Sequence, residues 1–373
     1  MVSNQRVRLF CLCQSDSFGE GNDGNFQKEY RLIDRLGGGD ILNIVPFTCD
    51  LIDEAAKLLA RRHQRDRLAA PVLPSRFESE RVAEQAIRAD WEKTVATGVA
   101  AIEKGSLIGY LFGGKAENPT RGRHVWVSLA GHGIAGDQHA ELYKDLYAAA
   151  SQRWVDEGYF AHYSLVPAND TALVNSWFCL GFGHEQVHGS LPLHSFHEPV
   201  VADMRVPNVQ LRLATPKDRQ AMAEVSQLIR TFQAAAPTFG VALPEDAQKI
   251  RDGYSQLVDD PDVDLWLVEK EGQVLSFQAY FPAEEEPSAM LVPANGIELG
   301  VAATEPEYRG LGFNHALTQH GLMHAKAKGM EYVLTDWRMT NLQSSRFWPR
   351  QGFLPIAYRL SRFIDPRIAW ARG

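Results

Sequence analysis

Apolar and polar positions along this chain alternate between a strand-like and a helix-like period, and the same succession occurs twice. VAAIEKGSLIGYLFGG begins at residue 99 and LWLVEKEGQVLSFQAYF begins at residue 265. Each is an apolar run, a short turn of charged residues and glycine, and a second apolar run. This pattern predicts two β-hairpins of one design.

Other segments of the two halves match as well. Trp177, Gly181 and Phe182 precede Trp348, Gly352 and Phe353 by 171 residues. ILNIVPFTCDLIDEAAKLL and VQLRLATPKDRQAMAEVSQLI both read as a strand followed by an amphipathic helix. The chain therefore predicts two copies of one α+β unit, over residues 41–200 and 208–373. Each copy is predicted to hold a mixed, mostly antiparallel sheet flanked by helices, and residues 1–40 to form a flexible tail.

Composition narrows the class of protein. Of 373 residues, 45% are hydrophobic and 23% are charged, as in soluble proteins with apolar cores. The net charge of −8 argues against a broad nucleic-acid or membrane surface, and no apolar run reaches the length of a membrane span. Four scattered cysteines and the absence of a signal-peptide pattern predict a cytoplasmic protein. We expect it to be a monomer or a homodimer.

The segment TEPEYRGLGFNHAL, residues 304–317, carries the most specific chemistry. It joins the predicted strand IELGVAAT to a predicted helix from about Phe313 to Lys328. The first N–H groups of a helix lack backbone partners and attract anions. Glycines allow a polyanion to approach the backbone, and Arg309 adds a cation suited to phosphate oxygens. These features predict a pyrophosphate site.

Two general phosphate motifs compete for this segment. A P-loop requires Gly-Lys-Ser/Thr, which the chain lacks. A dinucleotide-binding loop requires G-x-G-x-x-G, and His315 stands at the third glycine position. Asp336 ends the next strand, as a ribose-binding acid would, so a nicotinamide-dependent oxidoreductase stays as a weaker alternative.

A third interpretation fits the whole second copy, which resembles the GNAT superfamily of acyl-CoA-dependent N-acyltransferases. The family's Arg/Gln-x-x-Gly-x-Gly/Ala motif reads here Arg309-Gly310-Leu311-Gly312-Phe313-Asn314, and NLQSSRFWPRQGF resembles a later family block that begins at Asn341. Asn314 departs from the usual Gly/Ala, and Trp348 replaces a tyrosine proposed as general acid in relatives. In the first copy the arginine-glycine place is held by Gln138-His139-Ala140-Glu141, so we expect that copy to have lost CoA binding.

The resemblance implies an activity and a set of site residues. The second copy would transfer an acetyl or related acyl group from CoA to a small-molecule or peptide amine, with Glu298 as general base and Tyr358, Tyr308 or water as acid. The residues implied to bind acetyl-CoA are Ala302, Ala303, Thr304, Arg309, Gly310, Leu311, Gly312, Phe313, Asn314, Asn341 and Trp348. A non-catalytic CoA- or nucleotide-sensing module is the alternative from another class.

Two further patterns allow more than one interpretation. Glu284, Glu285 and Glu286 lie between two predicted strands, and would either attract a cationic amine or form a solvated loop. HEQVH, residues 184–188, matches the zinc-protease pattern, which requires a helix. The repeat predicts a strand there, which would hold the two histidines about 13 Å apart, so we predict no metal site.

Overall fold

The computed structural model describes residues 30–31, 42–93, 95–197, 204 and 206–371. These form two compact units. The N-terminal unit holds the described residues up to Val187, together with Glu285–Val292 and those from Pro355 on. The C-terminal unit holds His188–Glu284 and Pro293–Leu354. The predicted tail over residues 1–40 lies outside the described residues, except for Tyr30–Arg31.

The N-terminal unit is a sheet with helices on its faces. Its elements are β1 (Tyr30–Arg31), β2 (Asn43–Pro46), α1 (Ile52–Ala69), α2 (Glu80–Lys93), β3 (Val95–Glu103), β4 (Ser106–Asn118), β5 (Gly122–Val127), β6 (His132–Ile134), α3 (Leu142–Asp156), β7 (Ala161–Pro167), α4 (Thr171–Cys179) and the first half of β8 (Gly183–Pro192). The strand order runs β1-β2-β3-β4-β5-β7, and β6 pairs with β4. One apolar cluster centres on Trp154 and Trp177, and another on Phe47 and Phe112.

The C-terminal unit repeats this architecture. Its elements are β9 (Gln210–Leu213), α5 (Arg219–Val225), α6 (Leu228–Ala234), α7 (Asp246–Gln256), β10 (Asp264–Lys270), β11 (Gln273–Pro282), β12 (Gly296–Thr304), α8 (Phe313–Ala327), β13 (Tyr332–Arg338) and α9 (Ser344–Arg350). β14 (Leu354–Phe363) and α10 (Ile368–Ala371) follow in the chain. Strands β9 to β12 pair antiparallel, whereas β12 and β13 are parallel.

Both predicted hairpins are confirmed, and their turns share one backbone conformation. Lys104 and Gly105 join β3 to β4 with φ values of 51° and 80°. Glu271 and Gly272 join β10 to β11 with 52° and 84°. Positive φ at both central residues is the type I′ turn, whose twist matches that of the strands it joins. A β-bulge follows in the ladder of each hairpin.

Equal spacing of the elements confirms the fold class, two similar α+β units. Three pairs of elements lie 171 residues apart at both ends: α3 and α8, β7 and β13, and β8 and β14. HEQVH lies on β8, so the prediction of a strand there is confirmed.

The last strand of each half belongs mainly to the other unit. From Pro355 on, β14 lies in the N-terminal unit, where it pairs antiparallel with β7. From His188 on, β8 lies in the C-terminal unit, next to β13. The predicted domain limits at residues 200 and 208 stay a prediction. Among the described residues no helix is both long and apolar enough to cross a bilayer.

Candidate functional site

Strands β12 and β13 separate part-way along their length. They pair from Gly296 and Tyr332 up to Leu299 and Thr335, where the Thr335 hydroxyl donates to the Leu299 carbonyl at 2.8 Å. β12 continues to Thr304, paired only with β11 on its other side. Alternate residues of this stretch direct N–H and C=O groups away from β11. Ala302–Thr304, three of the residues that the resemblance implies to bind acetyl-CoA, lie on this stretch.

The turn after β12 presents unpaired backbone N–H groups at the start of α8. Gly310 and Gly312 have φ values of 79° and 91°, which favour glycine, and Gly312 is the N-cap of α8. A Cβ atom on Gly310 would meet open space. The first helical hydrogen bond runs from Ala316 N to Gly312 O, and no described residue accepts from the N–H groups of residues 310–315. This helix end is a ready site for an anion.

Arg309 is held beside that helix end. Its Nε donates to the Thr304 carbonyl at 3.2 Å, and its guanidinium carbon lies 4.8 Å from the centre of the Phe232 ring on α6. No carboxylate within the described ranges forms an ion pair with it. A stacked guanidinium without an acidic partner keeps most of its N–H donors for a ligand.

Asn314, the departure from the family motif, is bound from inside the unit. Its side-chain oxygen and its carbonyl accept from Gln278 Nε2 at 2.7 and 3.1 Å. Gln278 is fully buried on β11 and also donates to the Thr318 hydroxyl at 2.8 Å. These hydrogen bonds tie the first turn of α8 to the sheet.

Glu298 lies in an acidic environment on β12. It pairs in register with Phe281 on β11 and Leu334 on β13, so it shares a face with Asp336, two residues further along β13. Burial, followed by the charges of Asp336 and Glu284, raises the pKa of Glu298 to about 7. Such a carboxyl group changes its protonation state near neutral pH, as a general base does.

Comparisons with known proteins agree with this architecture. Residues 228–353 match the model of the Acetyltransferase (GNAT) family. This part of the chain is a GNAT domain. A search of curated protein sequences finds no match to the chain.

Two solved structures share the fold of the chain. One is the GCN5-related glucosamine N-acetyltransferase region of a fungal multi-domain GH3 β-N-acetylglucosaminidase, with a TM-score of 0.53, 14% identity, and coverage of 89% of this chain and 39% of that one. This chain thus spans well under half of that protein. The other is a GCN5-related N-acetyltransferase from Sphaerobacter thermophilus, with a TM-score of 0.53, 13% identity, and coverage of 87% and 96%.

Two of the remaining predicted site residues lie on and before α9, and the third lies in the N-terminal unit. Asn341 Oδ1 accepts from the N–H groups of Gln343 and Ser344 at 3.2 and 3.1 Å, at the start of α9. Trp348 is buried on α9, with its ring 5.6 Å from that of Phe353. Tyr358 lies in the N-terminal unit, with its ring 4.1 Å from that of His184, and burial raises its pKa.

The sequence did not predict the roles of three residues around this site. Phe232 stacks on Arg309, Gln278 binds Asn314, and Asp336 acts electrostatically on Glu298. A lone glutamine inside the apolar run VLSFQAYF signals a buried polar role, whereas nothing in the sequence marks Phe232. No group of three potential metal ligands occurs in the part of the chain that the structure describes.

Proposed function

We propose that the C-terminal unit transfers an acetyl or related acyl group from CoA to a primary amine. The observation that carries the proposal is the start of α8, where unpaired N–H groups, two glycines with positive φ and a stacked arginine occur together. Its chemistry suits a pyrophosphate, which CoA contains. The match of residues 228–353 to the GNAT family supports the same donor.

In this proposal the helix end and Arg309 hold the pyrophosphate, and the free edge of β12 faces the acyl group. An alkyl ammonium has a pKa near 10, so it must lose a proton before it attacks a thioester. Glu298 takes that proton, since its carboxylate is close to half ionised at neutral pH. Backbone N–H groups at Ala302–Thr304 stabilise the charge that develops on the carbonyl oxygen.

Protonation of the leaving thiolate needs no fixed protein acid, because a thiol has a pKa near 8.5 and the thiolate can therefore leave as an anion. Tyr358 as the acid stays a prediction, as do cytoplasmic location and a monomeric or homodimeric state. The dinucleotide-binding alternative loses its support, since strands β9 to β12 are antiparallel and such a fold requires a mostly parallel sheet.

Calorimetric titration with acetyl-CoA, with NADH in a parallel titration, tests the donor site. Gly310→Glu places a carboxylate at the helix end, and we expect it to weaken acetyl-CoA binding at least about a hundredfold, by like-charge repulsion. Gly329→Glu is the matched control, since Gly329 has φ 80° against 79° for Gly310 and equally open surroundings, just beyond the other end of α8.

We expect one acetyl-CoA site per chain, unaffected by Gly329→Glu. Failure of the wild-type protein to bind acetyl-CoA would overturn the proposal, and binding of NADH in its place would restore the dinucleotide alternative. Two sites would show that the first copy has kept a CoA site.

A further inference from the structure

The segment Glu285–Val292 connects β11 to β12 of the C-terminal unit, but it packs within the N-terminal unit. Met290 is 2% exposed and belongs to the apolar cluster that contains Phe47, Phe77 and Phe112. Leu291 packs against the same cluster. Burial of the methionine side chain in this cluster stabilises the docked position of the segment.

Polar contacts reinforce this packing along the segment. Arg76 pairs with the Glu285 carboxylate and donates to the Glu286 carbonyl at 3.3 Å. Lys93 Nζ lies 3.4 Å from a Glu286 carboxylate oxygen. Ser288 hydrogen-bonds to the Asp90 carboxylate, which lowers the pKa of Asp90. Burial has the larger effect and keeps that pKa raised. Glu285 and Glu286 therefore have basic partners on the N-terminal unit.

Both ends of the docked segment lead, within a few residues of the chain, to groups around the candidate base. Glu284 immediately precedes it and acts electrostatically on Glu298. Four residues after Val292, β12 begins at Gly296, two residues before Glu298. In the chain, residues 285–292 thus lie between Glu284 and the start of β12, so a displacement of this segment would reach both.

We propose that the N-terminal unit is a dock for residues 285–292. The docked segment then positions Glu284 and the first residues of β12, which precede Glu298. Arg76, Lys93 and Met290 are positioning residues in this scheme. Its catalytic consequence rests on the proposed function, whereas the docking itself does not. The first copy, which lacks the arginine and glycines of the anion site, would thereby keep a role in acyl transfer.

Two sets of variants test the dock with a charge change and a packing change. The first is Arg76→Ala with Lys93→Ala, and its control is Arg88→Ala, because Arg88 lies on α2 like Lys93 but pairs with Glu84 and Glu92 of its own helix. The second is Met290→Ala, with Met290→Leu as the conservative variant. Its control is Leu107→Ala, which removes a side chain of the same apolar cluster outside the segment.

Hydrogen exchange of residues 285–296 and a carbon-13 titration of the Glu298 carboxyl, assigned with Glu298→Gln, are the measurements. We expect exchange about tenfold faster or more in the double variant and in Met290→Ala, because local opening becomes easier. The pKa of Glu298 should fall from about 7 toward its ordinary value of 4.5, since hydration increases and Glu284 is no longer fixed. The controls and Met290→Leu should behave as wild type.

Unchanged exchange in the variants would overturn the dock. Faster exchange with the Glu298 pKa still at about 7 would overturn the positioning role. Neither measurement needs CoA, so a failure of the proposed function would appear separately, as absent acetyl-CoA binding in the wild-type protein.

Discussion

The gap that opens between β12 and β13 in the C-terminal unit is closed at the equivalent place in the N-terminal unit. There β5 and β7 also form four parallel pairs, His124 with Ala161 to Val127 with Ser164. The chain then turns through Leu129–Gly131 into β6, and the fully buried His132 places Nε2 2.9 Å from the Leu165 carbonyl of β7. Arg62 holds this turn in place by donating to the His132 and Leu129 carbonyls at 2.5 and 2.8 Å.

The two acidic residues beside the gap of the C-terminal unit have no acidic counterparts in the N-terminal unit. Because β7 and β13 start 171 residues apart, Tyr163 corresponds to Leu334, and their partners in register are Trp126 and Glu298. Leu165 corresponds likewise to Asp336. One fold thus carries an acidic gap in one unit and a gap filled by side chains in the other, so the fold alone does not confer the chemistry.

What the two units share identifies structural roles. Asp170 accepts from the Leu173 N–H at the start of α4, as Asn341 caps α9. Trp177 packs on Phe182 at 4.7 Å, much as Trp348 packs on Phe353. These contacts occur with and without the anion site, so for Asn341 and Trp348 we favour a role in folding over direct contact with CoA.

The largest effect should follow from removing the carboxylate that only the C-terminal unit has. Glu298→Gln should lower acyl transfer about 10²- to 10⁴-fold, since a general base contributes about that much. Acetyl-CoA affinity by calorimetry should stay unchanged. The wild-type rate should fall as the pH drops below about 7, because the carboxyl becomes protonated. A variant that transfers acyl groups at the wild-type rate would contradict the role of Glu298 as general base, whereas a wild-type protein that binds acetyl-CoA without turnover would favour the sensing module.

Exchange of one arginine in each unit for methionine should separate structure from binding. Arg62→Met leaves the buried Asp66 carboxylate, 3.3 Å from Arg62 Nε, without its cation, and should cost about 3 to 5 kcal/mol of unfolding free energy. Arg309→Met should change stability by less than about 1 kcal/mol while weakening acetyl-CoA binding. Denaturant unfolding and calorimetry on both variants measure this. Equal losses of stability would contradict the contrast.

A further difference between the two units should appear as the pH is lowered. Burial lowers the pKa values of His63 and His162 to about 4, and that of His132 well below 6.5, all in the N-terminal unit. Below pH 6.5 these histidines bind protons in the unfolded chain but stay neutral in the folded unit. The free energy of unfolding therefore falls as the pH drops from about 6.5 to 4. Each histidine should contribute up to about 1.4 kcal/mol per pH unit.

Hydrogen exchange at pH 7 and pH 5 can follow the two units separately. Protection in α1 and β4 should fall more than protection in β13, which serves as the internal control. Equal changes in both units would contradict this assignment of the acid sensitivity.

The repeat, the hairpins and the glycine turn could be predicted because each depends on local pattern: period-two apolar runs, a turn residue with positive φ, and glycines before a helix. The contacts of Arg309 with Phe232 and of Asn314 with Gln278 could not, since they join residues far apart in the chain. The packing of Glu285–Val292 on the first copy was equally hidden, because three consecutive glutamates read as solvated when their partners Arg76 and Lys93 are unknown.

The strand exchange has a consequence for the order in which the protein can fold during synthesis. β7 is complete at Pro167, but its neighbour β14 begins only at Leu354. At typical translation rates the ribosome needs about 10 to 40 s to make the intervening chain. For that interval the N-terminal sheet exposes an unpaired edge. A nascent chain in this window is where we expect chaperones to act on this protein.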